Sequence, residues 1–160
     1  MAASGRAGRL LKSMDLLAKK TTFDHGTVLS KVKLQPVSNG TLQGTFTVDK
    51  TMCNMGGSLH GGYIASVIDV LSFYTQLSNT DGRLSWTTSM NVNYIRPAAD
   101  GETINVVTKS LTSGNSSVIE TYFRNEKGKI LAKGTTSFLN AGDNYQEILK
   151  EVLDFDVYEN

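Results

Sequence analysis

Gly61-Gly62-Tyr63-Ile64-Ala65-Ser66-Val67-Ile68-Asp69-Val70-Leu71-Ser72-Phe73-Tyr74-Thr75-Gln76-Leu77 carries a helical period, and its setting decides the fold. Ile64, Val67, Ile68, Leu71 and Thr75 fall on one stripe, widened by Tyr63, Val70, Tyr74 and Leu77. Gly62, Ala65, Ser66 and Asp69 lie towards the other side, together with Phe73. Much of that second face is small, so a neighbour can approach the helix closely there. A helix apolar around most of its girth is expected to be buried. In that setting the lone carboxylate of Asp69 is unfavourable unless it is used.

The residues before this helix are Asn54-Met55-Gly56-Gly57-Ser58-Leu59-His60. A glycine-rich turn at a helix N-terminus presents unpaired N–H groups, aided by the helix dipole, to a developing negative oxygen. A carboxylate such as Asp69 can position or activate water. Together the two features point to hydrolysis of an activated acyl group. Asp69 lies eight residues beyond Gly61, about 12 Å along the axis at a rise of about 1.5 Å per residue. One acyl carbon cannot touch both groups of a single helix. A working site therefore combines Gly61 of one copy with Asp69 of another, and two antiparallel helices across a two-fold axis do so twice.

Working outward, a first helix is expected at about 10–19, with Leu10, Met14 and Leu17 on one face. Strands are expected at 27–37 and 41–49, joined by an Asn39-Gly40 hairpin turn. Leu84, Trp86, Thr88, Met90, Val92 and Tyr94 alternate with polar residues, the cleanest strand signal in the chain, ended by Pro97. Strands at 102–111, 116–125 and 129–139 come next, with turns at Ser113-Gly114-Asn115 and Glu126-Lys127-Gly128. A terminal helix is expected at about 145–153. Segregated helices and hairpin-linked strands predict an α+β fold with an antiparallel sheet around one long central helix, in a single domain spanning 1–160.

Bulk properties exclude several classes. The chain of 160 residues has a formal net charge of +1, with no global signature of polyanion binding, and the first 20 residues cannot house a DNA-binding domain. No apolar run approaches the roughly 18 residues needed to span a bilayer. The single Cys53 excludes an internal disulfide and a multi-cysteine metal site, and a reducing compartment is the natural reading. Residues 1–20 carry five basic residues against Asp15, a net of +4. That start reads either as a mitochondrial targeting segment or as an ordinary amphipathic helix, but not as a secretory signal, because no apolar h-region comes after it. Residues 141–160 carry six acids against Lys150, a net of −5, and read as an acidic helical extension.

Asn54, Leu59-His60-Gly61-Gly62, Asp69 and the strand Met90-Asn91-Val92-Asn93-Tyr94-Ile95-Arg96-Pro97-Ala98 together resemble the hotdog-fold acyl-CoA thioesterases of the PaaI-like branch, which includes the acyl-CoA thioesterase 13 (thioesterase superfamily member 2) group. The resemblance spans roughly 10–139. It implies the hotdog fold, in which a curved sheet wraps the central helix, and dimers that join sheets edge to edge and often pair again into tetramers. It also implies hydrolysis of acyl-CoA with no metal and no cofactor. Gly61 N–H is the expected oxyanion donor, and Asp69 the general base or, through an anhydride, the nucleophile. Asn54 matches the position that contacts the thioester or the water. Thr87 takes the place of a hydroxyl that orients water or the carboxylate; it is out of phase with the apolar residues of its strand, so either the strand edge faces a partner or a bulge intervenes, with Thr88 the in-phase competitor. His60 either fixes the turn or lends polarity near the carbonyl. Tyr94, Arg96, Pro97 and Ala98, and the turn Gly114, Asn115 and Ser116, resemble the places where the family holds CoA. Relatives often carry a lysine where this chain has Asn115, which leaves Arg96, Lys109, Arg124 and Lys133 as substitutes. A non-catalytic acyl-CoA-binding or scaffold protein on the same fold is the alternative. A location in the mitochondrion or the cytoplasm is expected.

Overall fold

The computed structural model describes residues 6–20, 22–38, 40–79 and 82–153. Helix α1 (Arg6–Lys20) leads into a π-helix at Asp24–Leu29. Then come β1 (Lys33–Ser38), β2 (Thr41–Thr47), a 3-10 turn (Lys50–Met52), α2 (Gly61–Leu77), β3 (Ser85–Tyr94), β4 (Thr103–Thr112), β5 (Ser116–Asn125), β6 (Ile130–Asn140) and α3 (Asp143–Leu153). The strands form one six-stranded sheet in the order β1-β2-β4-β5-β6-β3, with every neighbouring pair antiparallel. Helix α2 packs on one face of this sheet, which is the α+β arrangement the sequence predicts.

The two sides of α2 behave as their residues dictate. Val67, Ile68, Leu71 and Leu77 are fully buried, whereas Ala65, Ser66, Asp69 and Phe73 are half-buried and Gly62 is exposed. The apolar stripe sinks deep because β6 has Gly134 beneath it: a Cβ there would lie 2.8 Å from Ile68 Cδ1 and 2.9 Å from its Cγ2. Alternate residues of the sheet complete the core, with Leu42 and Phe46 from β2, Ile104 and Val106 from β4, and Ile119 and Phe123 from β5. Two pairs of buried hydroxyls meet at the helix–sheet contact: Ser72 with Thr121 at 3.2 Å, and Thr75 with Thr108.

Two expectations need correction. The strand expected at 27–37 begins only at Lys33; Thr27, Val28 and Leu29 belong to the π-helix. The local preference of β-branched residues for strands yields here to burial, since Val28 is fully buried where the π-helix packs on α2. The second correction concerns β3. A bulge between Thr87 and Ser89 breaks its alternation. Trp86 pairs with the exposed Leu139 and points outward, edge-to-face with Tyr145 at 5.1 Å. Thr87 pairs with the buried Phe138, and beyond the bulge Met90, Val92 and Tyr94 pair with Thr136, Gly134 and Ala132. Directly opposed residues share a face, so Thr87, Met90, Val92 and Tyr94 look towards α2. The expected Asn39-Gly40 turn lies partly outside the described residues, as does the loop at 78–82.

Strand β3 forms one edge of the sheet and α3 fastens its start. The side chain of the buried Gln146 accepts from Leu84 N at 2.9 Å and donates to Leu84 O and Ala141 O, each at 3.0 Å. Among the described residues no helix is long and apolar enough to cross a membrane.

Substitution tests the close approach at Gly134. Gly134→Val pushes Ile68 off its seat and lowers unfolding free energy by about 1–3 kcal/mol, read from urea denaturation midpoints; Ile68→Val, which removes Cδ1, recovers part of the loss. Unchanged midpoints for Gly134→Val would remove this contact as the determinant of helix depth.

Candidate active site

Asp69 is the one charged residue of α2, and the bulge in β3 brings Thr87 to it. Thr87 Oγ1 donates to Asp69 Oδ1 at 2.8 Å. No other donor is paired with Asp69 among the described residues. One carboxylate oxygen is thus anchored and the other is left at the half-buried rim between α2 and β3. Thr88, the in-phase competitor, turns to the neighbouring strand and donates to Ser137 O at 3.1 Å.

The loop before α2 is built by its own polar groups. Asn54 Oδ1 accepts from Gly56 N at 2.9 Å and Ser58 N at 3.3 Å, and Asn54 Nδ2 donates to Ser58 Oγ at 3.1 Å. Leu59 N donates to the carbonyl of the buried Ala98 at 2.8 Å, and His60 N to Met52 O at 2.8 Å. His60 is the N-cap of α2: its Nδ1 accepts from Gly62 N at 2.8 Å, which leaves the Nε2 side carrying the proton in the neutral ring. Gly61 N–H has no acceptor among the described residues. Tyr63 N–H has none either, so the helix start offers two free donors, backed by the helix dipole, and of these two residues only Gly61 lines the adjoining cleft.

Gly61 opens onto a cleft of about 300 Å³ that Asn54, Tyr94, Arg96 and Pro97 also line. The Arg96 guanidinium donates from Nη1 to Ile130 O at 2.7 Å, which holds its charge at the cleft rim. Ala98 takes no part in the lining and serves the loop through its carbonyl. The Gly114-Asn115-Ser116 turn is not brought to this cleft. Asn140 N donates to Asn115 O at 2.9 Å beside Ser85, at the other end of β3 from Tyr94, roughly 30 Å away at a strand rise of about 3.3 Å per residue. Within one copy the predicted residues therefore separate into two groups. Gly61, Asn54, His60, Tyr94, Arg96 and Pro97 surround the helix start, while Asp69 and Thr87 lie further along it.

Asp24 is a further acid that sequence reasoning missed. It begins the π-helix packed on α2 and is half-buried. Burial, and then the negative charge of Asp69, push its carboxyl above the usual carboxylate range. No spacing marks it, because its neighbourhood depends on how the π-helix docks. Among the described residues no group of His, Cys, Asp and Glu is arranged to hold a metal ion. Because folding raises the Asp24 pKa, the carboxyl favours the folded state below the ordinary carboxylate range and loses that contribution as pH rises through the raised value. Asp24→Asn accordingly raises the melting temperature near neutral pH, and the gain shrinks towards zero on acidification; a gain independent of pH, or a loss, contradicts the pairing of the two acids.

Residues 56–132 match the profile of the Thioesterase superfamily. The mouse acyl-coenzyme A thioesterase 13 is 29% identical over 133 residues, covering 82% of this chain and 94% of that protein. The structure of zebrafish thioesterase superfamily member 2 superposes with a TM-score of 0.76 at 25% identity, covering 87% of this chain and 100% of the other. The E. coli PaaI protein, at 18% identity, shares the fold with a TM-score of 0.75, covering 86% and 97%. The central helix, the six-stranded antiparallel sheet and these likenesses agree: the chain has the hotdog fold, is similar to the Thioesterase superfamily over residues 56–132, and resembles the acyl-coenzyme A thioesterase 13 group.

Proposed function

We propose that this protein is an acyl-CoA thioesterase, hydrolysing an acyl-CoA to the free acid and CoA in a site shared between two copies. One observation carries the reading. A carboxylate anchored by a hydroxyl, Asp69 to Thr87 at 2.8 Å, and a free helix-start amide, Gly61, lie on one helix at a separation of about 12 Å. The name of the mouse relative supports the substrate class.

The second copy joins along β3. This edge strand is ten residues long and contains no charged side chain or proline, so nothing blunts its unpaired backbone edge. The opposite edge, β1, is shorter and carries Lys33 and Pro36. Pairing β3 with β3 across a two-fold axis sets Asp69 and Thr87 of one copy against Gly61 of the other. It also carries the Gly114–Ser116 turn towards the partner's Arg96 end, so that the two predicted CoA-holding elements meet. Two such dimers pairing again would give a tetramer.

In the reaction the Asp69 carboxylate takes a proton from water, and the water oxygen adds to the thioester carbonyl. Gly61 N–H donates to the oxyanion, an interaction worth about 3 kcal/mol in the transition state. The carbonyl re-forms as the C–S bond breaks, and the CoA thiolate leaves with the electron pair and is protonated. Thr87 fixes the carboxylate, His60 fixes the helix start, Asn54 holds the loop that borders the thioester, and Tyr94, Arg96 and Pro97 line the path of the CoA arm. The basic residues 1–20 fit a location in the mitochondrion or the cytoplasm.

A hydrolysis screen over short-, medium-, long-chain and aromatic acyl-CoA esters tests the reading. Asp69→Asn is expected to lower kcat by at least about a hundredfold while leaving the oligomer intact by light scattering; near-wild-type turnover would remove Asp69 from the chemistry. Acyl-CoA binding without hydrolysis by the unaltered protein would make it a binding or scaffold protein instead. The shared site has its own test. Refolding equal amounts of Asp69→Asn and Gly61→Val chains together restores about a quarter of wild-type activity, because half the dimers are mixed and each holds one intact site; no recovery would place both groups in one copy's site.

A further inference from the structure

We propose that Tyr94 is a positioning residue that fixes the Gly61 peptide, and through it aims the amide that receives the oxyanion; the catalytic part of this proposal rests on the hydrolase reading. Tyr94 lies at the end of β3, opposite Ala132 and facing α2. Its hydroxyl donates to Gly61 O at 3.2 Å. Its ring lies against the Gly61 Cα: a Cβ on residue 61 would come 3.2 Å from Tyr94 Cε1 and 3.3 Å from Cζ. Tyr94 is 58% exposed, so ordinary core burial does not account for this placement.

The two contacts act on the same residue. Gly61 O is the first carbonyl of α2, and it is tied to the strand by the phenol. The next amide, Gly62 N–H, is already taken by His60 Nδ1 at 2.8 Å. His60 therefore removes the adjacent donor, and Tyr94 holds the residue whose N–H stays free at the cleft. Gly61 is not among the glycines with positive φ. Its lack of a side chain answers to the Tyr94 ring, which crowds the place of a Cβ and would have to shift by a few tenths of an ångström to admit one. An oxyanion donor acts only when it is already in place, and a displacement of about 1 Å can lower the rate about a hundredfold. Because Tyr94 sits on the free edge strand, pairing of that strand with a second copy would also steady the amide.

The test is a double-mutant cycle in the full-length oligomer, on the acyl-CoA that the screen finds best. Tyr94→Phe keeps the ring and loses the hydroxyl; its kcat is expected to fall about tenfold with KM within about twofold of wild type. Gly61→Ala is expected to lower both kcat and melting temperature in the wild-type background, and much less in a Tyr94→Ala background, where the ring is gone. A change in KM alone would make Tyr94 a plain substrate contact, and an unchanged kcat in Tyr94→Phe would overturn the positioning role. Additive melting-temperature losses would overturn the ring contact as the reason for Gly61. That thermal cycle does not need activity. If the unaltered protein hydrolyses no acyl-CoA, the hydrolase reading and the catalytic role of Tyr94 both fall, whereas active wild-type protein with an indifferent Tyr94→Phe removes only the latter.

Discussion

The contact of Ile68 with the bare backbone of Gly134 sets the depth of the central helix, and the position of the candidate site depends on that depth. It lets α2 settle deep on the sheet, where Val67, Ile68 and Leu71 leave water entirely. Burial of three such side chains contributes several kcal/mol at about 1.5–3 kcal/mol each. The helix has one remaining side, and there its residues are small or polar: Gly62, Ala65, Ser66 and Asp69. That side cannot be covered by the sheet, because the sheet ends at β3. The candidate site therefore occupies the margin left when the apolar stripe is satisfied.

At that margin the backbone does more than the side chains to arrange chemistry. His60 caps α2 and consumes the Gly62 amide, while the neighbouring Gly61 N–H stays free. The bulge after Thr87 rotates one hydroxyl from the outer to the inner face, where it meets Asp69. Both effects are local departures from regular structure. The bulge brings inward a hydroxyl that regular alternation counted from Met90 would have sent outward, and the cap leaves the first amide of the helix free to meet a substrate.

The long helix is legible to the residue, because its apolar period, its glycine-rich entry and its polar exit agree with one another. Strands β2, β4, β5 and β6 are legible within a residue or two for the same reason of consistent alternation. The π-helix is not, since Thr27 and Val28 prefer strands and only their docking on α2 overrides this. In the site, Gly61 and Asp69 emerge from chemistry on a helix of known rise. The inward turn of Thr87 emerges only as one of two branches: alternation assigns faces by counting, and a bulge changes the count without a residue type that announces it. The neighbourhood of Asp24 and Asp69 is invisible in the sequence because it depends on which surface of α2 the π-helix meets. The separation of the Gly114–Ser116 turn from the Arg96 cleft also requires the sheet order, which places those turns at opposite ends of one strand.

The extra residue in β3 lets a single strand serve two masters. Upstream of it, ordinary alternation has Trp86 offer the outer surface an aromatic seat for Tyr145 of α3 and turns the next residue, Thr87, inward to Asp69. Without that offset, Met90, Val92 and Tyr94 would share the outer face of Trp86. With it, they join Thr87 on the inner face, so one inserted residue lets the same strand seat the appended helix outside and line the reaction centre inside along its remaining length.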